Sequence, residues 1–164
     1  MIEEFDSEQQ ESVVVTSEER EATARDSRAC AIIAARAADA KKATDIMVQD
    51  VRELVSVTDY FVIATARNAR QVAAIIDAIE EDVRIRSGLK PLHREGTNDG
   101  LWALLDYGSF VVHVFQPETR DYYRLEALWN DAPVVDLEQE AGIADLEYSD
   151  RIAKLLESKL GEQV

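Results

Sequence analysis

Apolar and polar positions alternate most clearly in two runs, residues 101–107 and 110–115, which are separated by a glycine-containing break and predict a β-hairpin. Strand alternation divides the pair into two faces. One carries Leu101, Ala103, Leu105, Phe110, Val112 and Val114, is wholly apolar, and is expected to lie under helices. The other carries Trp102, Leu104, Asp106, Val111, His113 and Phe115, a mixture suited to recognition more than to a core. With Tyr107 and Gly108 as the central turn residues, Asp106 pairs with Ser109, Leu104 with Val111 and Trp102 with His113. Tyrosine is unusual at a positive φ, so a bulged turn that shifts the pairing stays open.

The same patterning predicts the remaining elements. Thr16 and Glu19 have the spacing of a capping box, opening a helix to about Ala43 with Ala24, Ala31, Ile32, Ala35 and Ala38 as its inner stripe. Residues 46–51 read as a strand. Residues 60–66 read as a second, so apolar that it belongs in the centre of a sheet. Asn68 is placed to cap a helix to about Arg86, with Val72, Ile75, Ile76, Ile79 and Val83 inward and Gly88 as its stop. Residues 89–94 form a further short strand before the hairpin. Pro117 opens a helix whose apolar positions are Tyr122, Leu125, Leu128 and Trp129, and residues 131–133 break it. Residues 134–136 read as extended, and residues 145–160 as an amphipathic helix with Leu146, Ile152, Leu155, Leu156 and Leu160 on one side. This order predicts a single α/β domain: one sheet of about five strands with helices packed on it. An acidic leader, residues 1–15, precedes the domain at 16–130, and an acidic extension, 131–164, follows it.

Charge narrows the functional classes. The net charge is −15, but residues 27–130 hold 15 acids against 13 bases, so nearly all the excess sits in the two ends. The centre has no basic surplus to neutralise phosphates, which argues against nucleic-acid readout. An acidic protein remains well suited to a basic protein partner. No apolar run approaches the length of a membrane span, and the acidic start is unlike a targeting peptide. The single cysteine, Cys30, in a helical apolar run, fits a small buried residue in a reducing cytoplasm.

Motifs for catalysis and metal binding do not stand out. His93 and His113 are the only histidines and neither has a cysteine at ligand spacing; there is no G-x-S-x-G, P-loop or G-x-G-x-x-G. His113 on an apolar strand reads as a hydrogen-bonded structural residue. Trp102 has two readings, ordinary core or contact anchor.

Several stretches together resemble one family. Glu95-Gly96, Trp102, the run from Leu104 to Gly108, the run from Val111 to Phe115, and Arg120-x-Tyr122-Tyr123-x-Leu125-Glu126-x-Leu128-Trp129 are similar to the signature of the ribosomal silencing factor, or Iojap, family. The likeness extends upstream through residues 41–46 and 58–63. It implies a nucleotidyltransferase-like α/β fold with a mixed sheet and no enzymatic role or cofactor. The paired aspartates that hold metal ions in nucleotidyltransferases have no counterpart here, since the D-x-E pairs Asp136/Glu138 and Asp145/Glu147 lie in the extension. The family's function implies binding to the large-subunit ribosomal protein numbered fourteen, steric exclusion of the small subunit, and lower translation under nutrient limitation. It also implies a tendency to form homodimers. Together with the mixed hairpin face, the resemblance assigns partner contact to Glu95, Trp102, Leu104, Asp106 and Tyr107, the first and fourth meeting basic groups. A divergent nucleotide-binding enzyme is the alternative.

Overall fold

The most apolar strand is the central one. In a computed structural model describing residues 14–163, β2 (Tyr60–Thr65) is buried along its whole length. It runs antiparallel to β1 (Thr44–Asp50) and parallel to β5 (Phe110–Phe115). β4 (Trp102–Asp106) and β3 (His93–Glu95) continue the sheet, each antiparallel to its neighbour, in the order β1-β2-β5-β4-β3. A strand paired on both edges and covered on both faces has no wet row to fill with polar residues, hence YFVIAT. β3 starts later than expected because Pro91 has no N–H for the ladder.

Helices cover the first face. The capping box forms, with Glu19 N–H donating to Thr16 Oγ1 at 3.1 Å, but α1 (Ser17–Ala24) does not continue to Ala43. Asp26 interrupts it by capping a second helix, α2 (Ser27–Ala40), its carboxylate accepting from Ala29 N–H at 3.0 Å. A short acid that satisfies an orphan amide stabilises a helix start more than a helix interior. The α2 contact is made of Cys30 and five alanines, all buried, which lets the helix approach the sheet closely. α3 (Ala69–Ser87) has the expected cap, Gln71 N–H donating to Asn68 Oδ1 at 2.8 Å, and ends at Gly88 with φ of 73°. The wholly apolar hairpin residues Ala103, Leu105, Phe110, Val112 and Val114 are buried beneath these helices.

The hairpin turn sits one residue further along than expected. Gly108, at φ 87°, and Ser109 are its central residues, and Tyr107 N–H donates to Phe110 O at 3.0 Å. Glycine at the first central position supplies the positive φ that Tyr107 would resist. The pairs become Asp106 with Val111, Leu104 with His113 and Trp102 with Phe115. Moving the turn by one residue moves each partner by two, an even shift, so residues 102–106 and 110–115 keep their expected faces; Leu101, expected under the helices, precedes β4 and is exposed.

The second face is covered by the chain's last third. The helix expected after Pro117 is broken into α4 (Pro117–Tyr123) and α5 (Leu125–Leu128) by Arg124 at φ 49°. Of the expected stripe, Leu125 and Trp129 pack against the second core and the other two residues do not. Tyr122 and Leu128 are 80% and 71% exposed, whereas Arg120 and Glu126 are fully buried. Residues 133–135 run beside β1: Asp50 N–H donates to Pro133 O and Val135 N–H to Val48 O, at 2.8 and 2.9 Å. A short helix not anticipated, α6 (Leu137–Ala141), follows, capped by Asp136, and crosses to the first face, where Leu137 and Ala141 join the core under α2. α7 (Asp150–Gln163) then sets Ile152 and Leu156 into a second core with Met47, Phe61, Ile63 and Phe115. Among the described residues, no helix is long and apolar enough to cross a membrane.

Candidate functional site

Coverage of the second face is incomplete. The extension shields β1, β2 and most of β5, so Val111, His113 and Phe115 are core residues and not, as expected, part of a recognition surface. Toward β4 and β3 the cover ends. Trp102, Leu104 and Asp106 are half-buried there, and the three residues of β3 are exposed. Glu95 pairs with Leu104, and Leu104 with His113, so these three stand in one row on the same face.

Trp102 is held by several contacts. Its ring stacks on Phe115 with centroids 4.7 Å apart and meets Tyr123 at 4.8 Å. Its indole N–H donates to His113 Nδ1 at 3.1 Å. That bond requires an unprotonated Nδ1, and burial, assisted by the Arg120 charge, lowers the His113 pKa to about 4. The imidazole is therefore neutral, with its own N–H on Nε2. Phe61 closes the edge of the ring at 5.4 Å. The result is a fixed aromatic platform whose outer rim is exposed: Leu101, Tyr122 and Tyr123 are 53%, 80% and 51% accessible. A shallow cavity of about 490 Å³ opens between that rim and Trp102, bordered by Asp99 and Glu118.

Gly96 fixes the backbone behind the platform. It has φ of 71°, and a Cβ there would lie 1.9 Å from the Trp102 carbonyl oxygen. Glycine alone permits that approach without a shift of the strand.

Of the five residues assigned to contact, four share this region and one does not. Glu95, Trp102, Leu104 and Asp106 belong to one sheet face. Tyr107 turns to the opposite side, where it is buried, stacks on Phe110 at 4.5 Å and 6°, and has its hydroxyl pKa pushed up by burial. Odd numbering beside a Gly-Ser turn was the available signal for that. Tyr123 and Leu101 were missed as members of the platform, because helical spacing placed the tyrosines inward.

Beneath the platform lies a buried ionic network. Arg120 Nε donates to Glu126 Oε1 at 2.6 Å, and Arg120 Nη1 donates to Asp45 O and Thr65 Oγ1. Arg151 from α7 donates to Glu126 Oε2 at 2.6 Å. Burial pulls the Arg120 pKa down and Glu126 opposes it. The network fastens α4 and α5 to β1, β2 and α7. Among the described residues, no group of three or more His, Cys, Asp or Glu is arranged to hold a metal ion.

Comparison with known proteins gives the family. A family model described as "Ribosomal silencing factor during starvation" matches residues 24–160. The chain belongs to the ribosomal silencing factor family. The Bacillus subtilis ribosomal silencing factor is 42% identical over 106 residues, covering 65% of this chain and 89% of that protein. The chloroplastic Iojap protein of Zea mays is 40% identical over 110 residues, covering 65% of this chain and 46% of its own. A crystal structure of a Chromobacterium violaceum protein superposes with a TM-score of 0.60 at 34% identity, covering 62% of this chain and 84% of that one. As a member of this silencing factor family, the chain carries the family's mixed α/β sheet.

Proposed function

We propose that this silencing factor docks on the large ribosomal subunit, on its protein numbered fourteen, through the open part of the second sheet face. Steric occupation of the surface that meets the small subunit then prevents subunit joining and lowers translation when nutrients are scarce. The observation that carries this reading is Trp102, a half-buried tryptophan with its indole N–H already satisfied by His113 and its ring clamped between Phe115 and Tyr123. An aromatic side chain immobilised before binding loses little further rotamer freedom on binding, which is the behaviour of a hot-spot anchor. Leu104, Leu101 and Tyr122 surround it with apolar surface, and Glu95 and Asp106 supply carboxylates toward a basic partner. Tyr107 supports the turn from the far side. Homodimers formed through the same face would compete with the ribosome.

Co-sedimentation with isolated large and small subunits tests the proposal. Wild type is expected to travel with the large subunit alone, and Trp102→Ala to lose about 30-fold or more in affinity, equivalent to about 2 kcal/mol. Binding by a folded Trp102→Ala variant at wild-type affinity would move the site elsewhere; binding to neither subunit would end the proposal.

A further inference from the structure

A second concave surface lies away from the platform, where the extension folds over β1. The cavity, about 560 Å³, has an apolar floor that includes Ile46, Met47, Ile143, Leu146, Leu156 and Leu160. That volume falls in the range of pockets that bury a ligand or a pair of large side chains. Its rim is uniformly acidic, since Asp136, Glu138, Asp145 and Glu157 border it and no lysine or arginine does. Asp136 is occupied in capping α6, but the carboxylates of Glu138, Asp145 and Glu157 make no hydrogen bond or ion pair among the described residues. Along α7 the border residues Ala153, Leu156, Glu157 and Leu160 fall at positions i, i+3, i+4 and i+7, one helix face about 10 Å long. The other wall is α6 with its flanking turns, and Tyr148 pins the base by donating its hydroxyl to Ile46 O at 2.8 Å.

We propose that this groove is a docking site for a basic peptide segment of a partner protein, with one or two large apolar side chains entering the floor and lysines or arginines meeting the three unpaired carboxylates. Charge selects the occupant. Residues 1–13 hold five acids and no base, so this chain's own beginning is repelled. A second copy brings a net charge of −15 to the same rim. Nucleic acid and anionic lipid are repelled likewise. A cationic segment is attracted by the rim and buries apolar surface on the floor, the recognition mode of an amphipathic helix in a groove. The site is separate from the Trp102 platform and does not rest on its assignment.

The test uses the full-length protein with labelled isoleucine, leucine and methionine methyls. The probe is a fluorescent 14-residue peptide of leucine and lysine, with leucines at i, i+3, i+4 and i+7, against a counterpart with glutamate for every lysine. Saturable binding of the lysine peptide is expected, weakening as salt is raised, with methyl shifts concentrated at Ile46, Met47, Leu146, Leu156 and Leu160. The combined variant Glu138→Gln, Asp145→Asn, Glu157→Gln is expected to lose about tenfold in affinity with an unchanged melting temperature. Equal binding of the two peptides, shifts confined to the platform around Trp102, or no saturation at millimolar peptide would each overturn the proposal. So would groove shifts that grow with protein concentration in the absence of peptide, which assign the groove to a second copy.

Discussion

The buried carboxylate Glu126 is the most consequential single charge in the fold. It is 0% exposed and bridges two guanidiniums, Arg120 at 1% exposure and Arg151 at 27%, through bonds of 2.6 Å each. In Glu126→Gln the shape is retained, but an amide N–H₂ replaces one acceptor oxygen and the negative charge disappears. Arg120 is then a buried cation left with neutral acceptors alone, Asp45 O, Thr65 Oγ1 and at most the one amide oxygen that remains, with Arg151 nearby and no carboxylate between them. Removing one partner of a buried pair costs about 3–5 kcal/mol, because the remaining charge is still desolvated. For a chain of this size each kcal/mol lowers the melting temperature by roughly 2–4 °C, so a fall of roughly 10 °C is expected. Urea unfolding, followed through Trp102 and Trp129 fluorescence, gives the free energy directly. The comparison variant is Glu81→Gln, which breaks the half-exposed pair with Arg84 and is expected to cost about 0.5 kcal/mol or less. A loss below about 1 kcal/mol for Glu126→Gln, or a loss equal to that of Glu81→Gln, would refute the desolvation argument. So would a double variant Arg120→Met, Glu126→Leu that is less stable than Glu126→Gln, since removing both charges eliminates the uncompensated one.

Three other outcomes are expected. The His113 pKa near 4 lies below its ordinary 6.5, so the unfolded chain binds more protons between those values; stability is unaffected above about pH 7 and falls by about 3 kcal/mol as pH drops from 6.5 to 4. The difference in urea midpoints between wild type and His113→Asn across that window measures it, and parallel pH profiles would contradict it. Gly96→Ala forces a methyl group into the Trp102 carbonyl at positive φ, and is expected to destabilise the fold by about 2 kcal/mol or more and to weaken large-subunit binding, both measured on the purified variant. Ala35→Leu at the α2 contact with the sheet should cost about 1–3 kcal/mol by overpacking, seen in the melting temperature, whereas the same change at the exposed Ala73 should cost little.

Elements governed by local rules were legible in the sequence. The caps at Thr16 and Asn68, the stop at Gly88, the central placement of residues 60–65 and the two hairpin faces all follow from short-range chemistry and side-chain period. What was not legible depended on distant partners. Spacing lets Arg120 pair with a nearby acid, but only the fold shows that Asp45, Thr65, Glu126 and Arg151 enclose it, with Tyr122 and Leu128 turned outward against their hydropathy. Nothing local to Val111 or His113 reveals that residues 131–160 will return to cover that part of the sheet. The site was therefore half visible. Trp102 and Leu104 were placed on the sheet face that is left partly open, while the limits of that opening, set by where the extension stops, required the fold. Tyr107 was misplaced because the turn chemistry of Gly108 and Ser109 was assigned one residue early.

Pairing of residues 133–135 with β1 has a consequence for synthesis. Most of the helix-covered side of the sheet is present once β5 emerges, and Val135, Leu137, Ala141 and Ile143 complete it soon afterwards. The other side waits until Ile152 and Leu156 arrive, more than a hundred residues after Met47, which they cover. Contacts so far apart in sequence form late and slowly. A nascent chain thus passes through a stage with half its sheet finished and Phe61, Ile63 and Phe115 still wet, when it is most in need of a chaperone or of a vacant ribosome surface.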